Sequence, residues 1–409
     1  MKKVNKLLVY FLYALPFIDL LTSMATWESK PSIGLFLKGL FVIITSIYVF
    51  YQNRQKRLYR YIYGLFIIYL LLYGGYLVLN KPDTIFVELI NITKIFYFPF
   101  LALFFSQYKN ENINKKLFFY YAVCFLFLYL IPYPFGLGHN INEIYENKSL
   151  YLSYFYVGNE LVNIFILILP IGYLYLKEKS RIYLLGYVII IFLMMLLLGT
   201  KTMYFSVVLL LLYGIYRRKD TFVKYVKRNI KLLLGVLIIG IVLFGFMFPQ
   251  TTFYKNIKTT LNYYQITSIS DIFTWNNIDN VLYSHRLTFV KDLHNVYQSS
   301  SFEQKILGIG RQKIISLKDA EIDIFDIFYS IGILGMLLYI GLFIVVVKKS
   351  SLKGIYAYLF WLLILISMFS GHVLLSPMTS TYLAIMIGIN YNEGRKNNEK
   401  MDSKSIKTS

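Results

Sequence analysis

The chain is built from long apolar runs broken by short basic patches, with little sign of the one-sided stripes that mark the surface helices of water-soluble proteins. Runs of about 18 or more apolar residues match the length a helix needs to cross hydrocarbon, about 20 residues at 1.5 Å rise each. The pattern therefore predicts an all-α integral membrane protein with about twelve transmembrane helices. They are expected at roughly 7–25, 33–51, 61–79, 85–106, 116–135, 151–176, 182–198, 203–216, 231–248, 325–347, 354–370 and 373–389. The short pair flanking Gly199 can also be read as one helical hairpin. One long connection, between the ninth and tenth helices, is neither low-complexity nor strongly charged and is expected to fold as a small cap. The chain thus divides into helices one to nine (1–248), an extracellular loop (249–324), helices ten to twelve (325–389) and a basic cytoplasmic tail (390–409).

Composition supports this reading. Of 409 residues, 57% are hydrophobic and 15% charged, a balance that cannot cover a water-exposed surface. A net charge of +21 would suggest a nucleic-acid partner in a soluble chain, but here the Lys and Arg residues lie in loops, where membrane topology explains them. No nucleic-acid partner is expected. The only cysteine, Cys124, sits in an apolar run, so disulfides and cysteine metal sites are excluded. Lys2, Lys3 and Lys6 precede an apolar stretch without a small-residue cleavage site, which reads as a retained signal anchor.

The cations also give an orientation. One side holds the amino terminus, Arg54 to Arg60, Lys109 to Lys116, Lys177 to Arg181, Arg217 to Lys231, Lys348 to Lys353 and the carboxyl-terminal tail. The short loops of the other side offer only Lys30, Lys81, Lys148 and Lys201. Both termini are therefore expected in the cytoplasm of a multi-pass cell-membrane protein, with the long loop outside.

An ionisable group inside a span costs about 2.5 to 3.5 kcal/mol on insertion scales, so each one needs a reason. Asp19, Lys38, the Glu88, Asn91 and Lys94 series, and Asn159, Glu160 and Asn163 all fall at similar depth in the outer halves of their helices. Helical spacing puts Asn163 beneath Asn159 and Glu160 on one face. Either these groups line a polar cavity open to the outer leaflet or they hold the bundle together by interhelical hydrogen bonds, and the set favours the cavity.

Three cations stand outside against the charge trend: Lys201 in Gly199-Thr200-Lys201-Thr202, Arg286 in Ser284-His285-Arg286, and Arg311 after Leu307-Gly308-Ile309-Gly310. They are candidate anion contacts. Lys201 would sit at a helix start, where free amides also favour an anion, or else at the end of the preceding helix. For Arg286 the structural alternative is an ion pair with Asp271, Asp279 or Asp292. Glu321, Asp323 and Asp326 gather just before the tenth span, beyond what helix capping requires. His372 lies in the outer turn between the last two spans, placed for proton transfer or simply as a polar turn residue. The sequence has no phosphate-binding glycine loop, His-Glu-x-x-His, nucleotide fingerprint or metal-spaced cluster, so no metal or cofactor is expected.

Taken with the topology, these motifs resemble those of the O-antigen polymerase and O-antigen ligase superfamily, in particular the Wzy-type capsule and exopolysaccharide polymerases of Gram-positive bacteria. The likeness lies in Gly158-Asn159-Glu160, Gly199-Thr200-Lys201-Thr202, and the order of Ser284-His285-Arg286-Leu287, Leu307-Gly308-Ile309-Gly310, Glu321 to Asp326 and Gly332-Ile333-Leu334-Gly335. Ligases of the superfamily look to carry a His-Asn pair where this chain has Glu321-Ile322-Asp323, a departure that favours a polymerase. The resemblance implies transfer of a glycan from a polyprenyl-diphosphate-linked oligosaccharide to a sugar hydroxyl of another lipid-linked unit, at the outer membrane face. It implies membrane lipid, a flippase and a chain-length regulator of the same pathway as partners. Arg286 and Arg311 would clamp the diphosphate, Lys201 would assist, and Glu321 or Asp323 would accept the proton, with His372 the next candidate. Asn159, Glu160, Asn163, Lys94 and Asp326 would contact substrate. The competing readings are a ligase that passes finished polymer to another acceptor, and a flippase or transporter of lipid-linked sugar.

Overall fold

The computed structural model describes residues 2–30, 32–140, 151–217, 219, 249, 252–266, 268–369 and 371–408. The first part is a series of helices, α1 (Lys2–Trp27), α2 (Ile33–Asn53), α3 (Arg57–Asn80), α4 (Ile85–Phe105), α5 (Lys115–Leu130), α6 (Gly158–Lys177), α7 (Arg181–Leu198) and α8 (Lys201–Arg217). Starts are set by local chemistry. The Ser32 hydroxyl accepts from Leu35 N at the head of α2, and the Asn114 side chain accepts from Lys116 N at the head of α5. Six short helices follow: α9 (Thr252–Tyr263), α10 (Ile269–Ile272), α11 (Trp275–Ile278), α12 (Arg286–Gln298), α13 (Phe302–Leu307) and α14 (Arg311–Leu317). The chain then returns to long helices, α15 (Asp323–Ser350), α16 (Gly354–Ser367) and α17 (Pro377–Thr408).

Among the described residues seven helices are long and apolar enough to cross a membrane, namely α1 to α6 and α15. Helices α7, α8, α16 and the start of α17 lie where further spans are expected, and the ninth expected span, 231–248, lies outside the described residues. Side chains such as Leu71, Leu79 and Ile182 stand on helix flanks with most of their surface uncovered. In water each would forfeit about 25 cal/mol for every Å² of apolar area left exposed, so hydrocarbon is the solvent these flanks are made for. The protein is an all-α integral membrane protein.

Helices α4 and α6 are the most enclosed. The first packs on α2, α15 and α17, and the second on α5, α7 and α17. Two expected boundaries shift. The sixth span begins at Gly158 rather than 151, because Tyr151–Ser153 pairs as a short antiparallel strand with His139–Asn140. The last begins at Pro377 rather than 373, because the preceding turn is bound to Asp323 as described below.

The last three short helices, α12 to α14, dock on the start of α15, with a small core of Leu293, Tyr297, Ile309, Ile314, Ala320 and Tyr329. That docking breaks α15. Gly332 has φ 65° and ψ −169°, outside the helical range, and the freed backbone meets the Leu307–Gly310 segment. Ile309 N donates to Tyr329 O at 2.9 Å, and Tyr69 OH donates to Leu307 O and Ile331 O, both at 3.4 Å. Gly308 has φ +104°, and a Cβ there would lie 2.1 Å from Ser330 O. Both glycines are required by close backbone approach.

Candidate active site

Two anchors build the site. The first is Glu88 on α4, buried in the bundle. Its carboxylate accepts from Arg311 N at 3.0 Å, Gln312 N at 2.9 Å and Tyr73 OH at 3.3 Å, so a buried carboxylate caps α14 and fixes where Arg311 emerges. The second is Asp323 at the head of α15, fully buried. Its Oδ2 accepts from Val373 N at 2.8 Å and Leu374 N at 2.7 Å, and its Oδ1 lies 3.1 Å from His372 Nδ1. This holds the α16–α17 turn, with Gly371 N donating to Glu321 O at 3.1 Å.

Between the anchors lies Asp319. Its Oδ2 takes Arg311 Nη2 at 2.6 Å and lies 3.5 Å from His372 Nε2. Asp326 stands behind, its Oδ1 accepting from Ala320 N at 3.2 Å and lying 3.9 Å from Arg311 Nη1. Both ring nitrogens of His372 therefore face carboxylates, which suits the doubly protonated ring. Burial alone would push its pKa down, but the hydrogen bonds to Asp319 and Asp323 prevail and push it up to about 10. Asp319 is held below its ordinary value, because His372 and Arg311 outweigh the burial that would raise it.

His372 and Arg311 face a cavity of about 290 Å³ walled by α1, α2, α4, the start of α6, α14 and the α16–α17 turn. Lys38, Asn91, Lys94, Glu160 and Ser376 also line it. Lys38 is already ion-paired with Asp19, whose other oxygen accepts from Tyr382 OH at 2.6 Å. Lys94 has no ion pair among the described residues, and two buried donors, Arg311 Nη1 and Asn91 Nδ2, make no hydrogen bond to any described residue. Cations thus face the cavity, with carboxylates fixed behind most of them.

Of the residues singled out in the sequence, the cavity brings together Lys38, Asn91, Lys94, Glu160, Arg311 and His372. Asp323 and Asp326 support it from behind. Asn159 packs against the same turn, since a Cβ on Gly371 would come within 2.9 Å of its Cβ. Asn163 is fully buried one turn deeper, with neither amide atom bonded to a described residue. Arg286 departs from expectation. It opens α12, does not line this cavity, and is ion-paired with Glu321 rather than with Asp271, Asp279 or Asp292. Asp279 is occupied in capping α12, accepting from Leu287 N at 2.9 Å and Thr288 N at 3.1 Å. Lys201 opens α8, at a helix start, and does not line the cavity either. Sequence reading passed over Asp319 and Ser376. Asp319 could have been flagged as a carboxylate eight residues after Arg311, whereas Ser376 carries no sequence signal.

A helical membrane protein with a polar, cation-lined cavity between its spans is the class that fold and site define. The chain belongs to the O-antigen ligase like membrane protein family, whose model matches residues 1–271 and 271–391. Comparison with curated proteins and with solved structures finds no match. Membership gives the protein a glycan-processing function in the membrane.

Proposed function

We propose that the protein polymerises lipid-linked oligosaccharide repeat units at the outer membrane face, in capsule or exopolysaccharide synthesis. The observation that carries the reading is Arg311 Nη1, a buried guanidinium nitrogen without a hydrogen bond, on a cavity shared with Lys94 and a cationic His372. The guanidinium is ion-paired with Asp319 through Nη2 and its Nη1 lies 3.9 Å from Asp326, yet Nη1 still lacks a hydrogen-bond acceptor among the described residues, and a buried donor left so costs free energy until an acceptor oxygen meets it. The diphosphate of a polyprenyl carrier has the charge and the oxygens to do so.

In this scheme the hydroxyl oxygen of one lipid-linked unit attacks the anomeric carbon of another. The carbon–oxygen bond to the diphosphate breaks, and the polyprenyl diphosphate leaves with the electron pair. Arg311, His372 and Lys94 take up the charge that grows on the leaving oxygen. Glu160, which lines the cavity with Ser376, accepts the hydroxyl proton. Glu321 and Asp323 are less suited to that task, the one being ion-paired with Arg286 and the other fully buried with both oxygens engaged. Asp323 is a positioning residue that holds His372.

The family description favours a second reading, in which the same cavity serves a ligase that passes finished polymer to a different acceptor. Incubating purified protein in nanodiscs with lipid-linked repeat units alone separates the two. A ladder of products with release of polyprenyl diphosphate, lost in Arg311→Ala and Glu160→Gln, is the polymerase result. No ladder, with transfer only when a second acceptor is supplied, establishes the ligase.

A further inference from the structure

A second pocket, of about 680 Å³, lies at the far ends of the helices that carry the active site. Helix α15 starts at Asp323 beside His372 and ends at Ser350, about 40 Å of helix away at 1.5 Å per residue. The pocket sits among the end of α8, the α15–α16 turn and the continuation of α17. Its shape is built in. Asn390 is buried, donates to Ser350 O at 2.8 Å and accepts from Lys353 N at 3.2 Å, which ties α17 to the turn. The turn itself uses two left-handed residues, Ser351 at φ +43° and Gly354 at φ +57°.

Its charge is one-sided. Arg217, Lys349, Lys353 and Arg395 line it, and the first three form no ion pair with a described residue. The only carboxylate on the pocket among the described residues, Glu393, is engaged elsewhere, accepting from Tyr356 OH at 3.0 Å and lying 3.4 Å from Lys115 Nζ. Helix α16, 14 residues long, begins at this pocket with no side chain capping its first amides. Free amides and the helix dipole add to the field of the cations. Basic loops are expected on a cytoplasmic face, and here the charges gather on a concave surface between helices, the setting in which basic pockets take up anionic headgroups.

We propose that this pocket binds a phosphate-bearing anion, in the form of an anionic phospholipid headgroup seated between α8, α15, α16 and α17. The pocket is independent of the glycan chemistry, and neither depends on the other for its test.

The full-length protein is placed in nanodiscs of phosphatidylcholine containing phosphatidylglycerol, re-extracted, and the lipids that remain bound are counted by native mass spectrometry. The triple variant Arg217→Gln, Lys349→Gln, Lys353→Gln is compared with a control, Arg54→Gln, Arg57→Gln, Arg60→Gln, which removes three cations from another loop on the same expected face. Retention of phosphatidylglycerol should fall about tenfold or more in the first and little in the second. A parallel melting titration with inorganic phosphate in pure phosphatidylcholine discs separates the sources. Stabilisation there, lost in the triple variant, would assign the pocket to a soluble phosphate compound. Equal retention by the triple variant and wild type with no phosphate effect, or equal losses in both variants, would overturn the proposal.

Discussion

Removing the Asp323 side chain tests whether the α16–α17 turn is held as the geometry implies. Asp323→Ala deprives Val373 N, Leu374 N and His372 Nδ1 of their acceptor in a fully buried setting. Leaving a buried donor unsatisfied costs about 1–3 kcal/mol, so the two amides alone represent about 2–6 kcal/mol. Against a net stability of about 5–15 kcal/mol for a typical folded domain, that lowers the melting temperature in detergent measurably. Asp323→Asn keeps one carbonyl oxygen for the amides but no charge for the imidazolium, so it should melt between wild type and the alanine variant. On the proposed function, in which Asp323 acts through His372 rather than on substrate, polymer yield should follow the same order. If Asp323→Asn melts like wild type yet makes no polymer, the carboxylate is the proton acceptor and the positioning role fails. If Asp323→Ala matches wild type in both measurements, the turn is held by something else.

Other outcomes follow from the same geometry. The pKa of His372 is raised, so its contribution to stability is complete below about pH 6.5 and is lost as pH rises towards about 10. Melting scans should show that loss in wild type and not in His372→Gln. Gly308→Ala and Gly332→Ala should each abolish accumulation of folded protein in membranes, since the added Cβ would meet backbone at 2.1 and 2.4 Å. Normal yield of either would show that the Leu307–Gly310 segment does not sit against the α15 break. Arg286→Ala and Glu321→Gln should give similar losses of melting temperature and, combined, little more than either alone, because they share one ion pair. Strictly additive losses would mean the pair does not form. With Cys124→Ser as background, cysteines at Ser268 and Ser300 should react with an impermeant thiol reagent in intact cells, and one at Ser351 should not. Labelling at Ser351 alone would invert the topology.

Much of this protein is legible in its sequence because the bilayer imposes a simple rule. Every backbone polar group must be satisfied within the segment, so a long apolar run can only be a helix, and the helical architecture follows directly. The cost of burying charge likewise marked Lys94 and Glu160 as residues in need of an explanation, the charge trend of the loops marked Arg311, and the cavity brings those three together. Partners were another matter. Asp19 and Lys38 are 19 residues apart on different helices, Arg286 and Glu321 are 35 apart, and Asp323 reaches 50 residues along the chain to Val373. No periodicity encodes such contacts. They depend on how helices pack and where a turn folds back, so Glu321 and Asp323 read alike in sequence while one pairs with an arginine and the other holds a histidine. The break at Gly332 shows the same division: the sequence marks glycines, but only the docked Leu307–Gly310 segment explains why a helix must open there, because the space a Cβ would need is already filled by backbone.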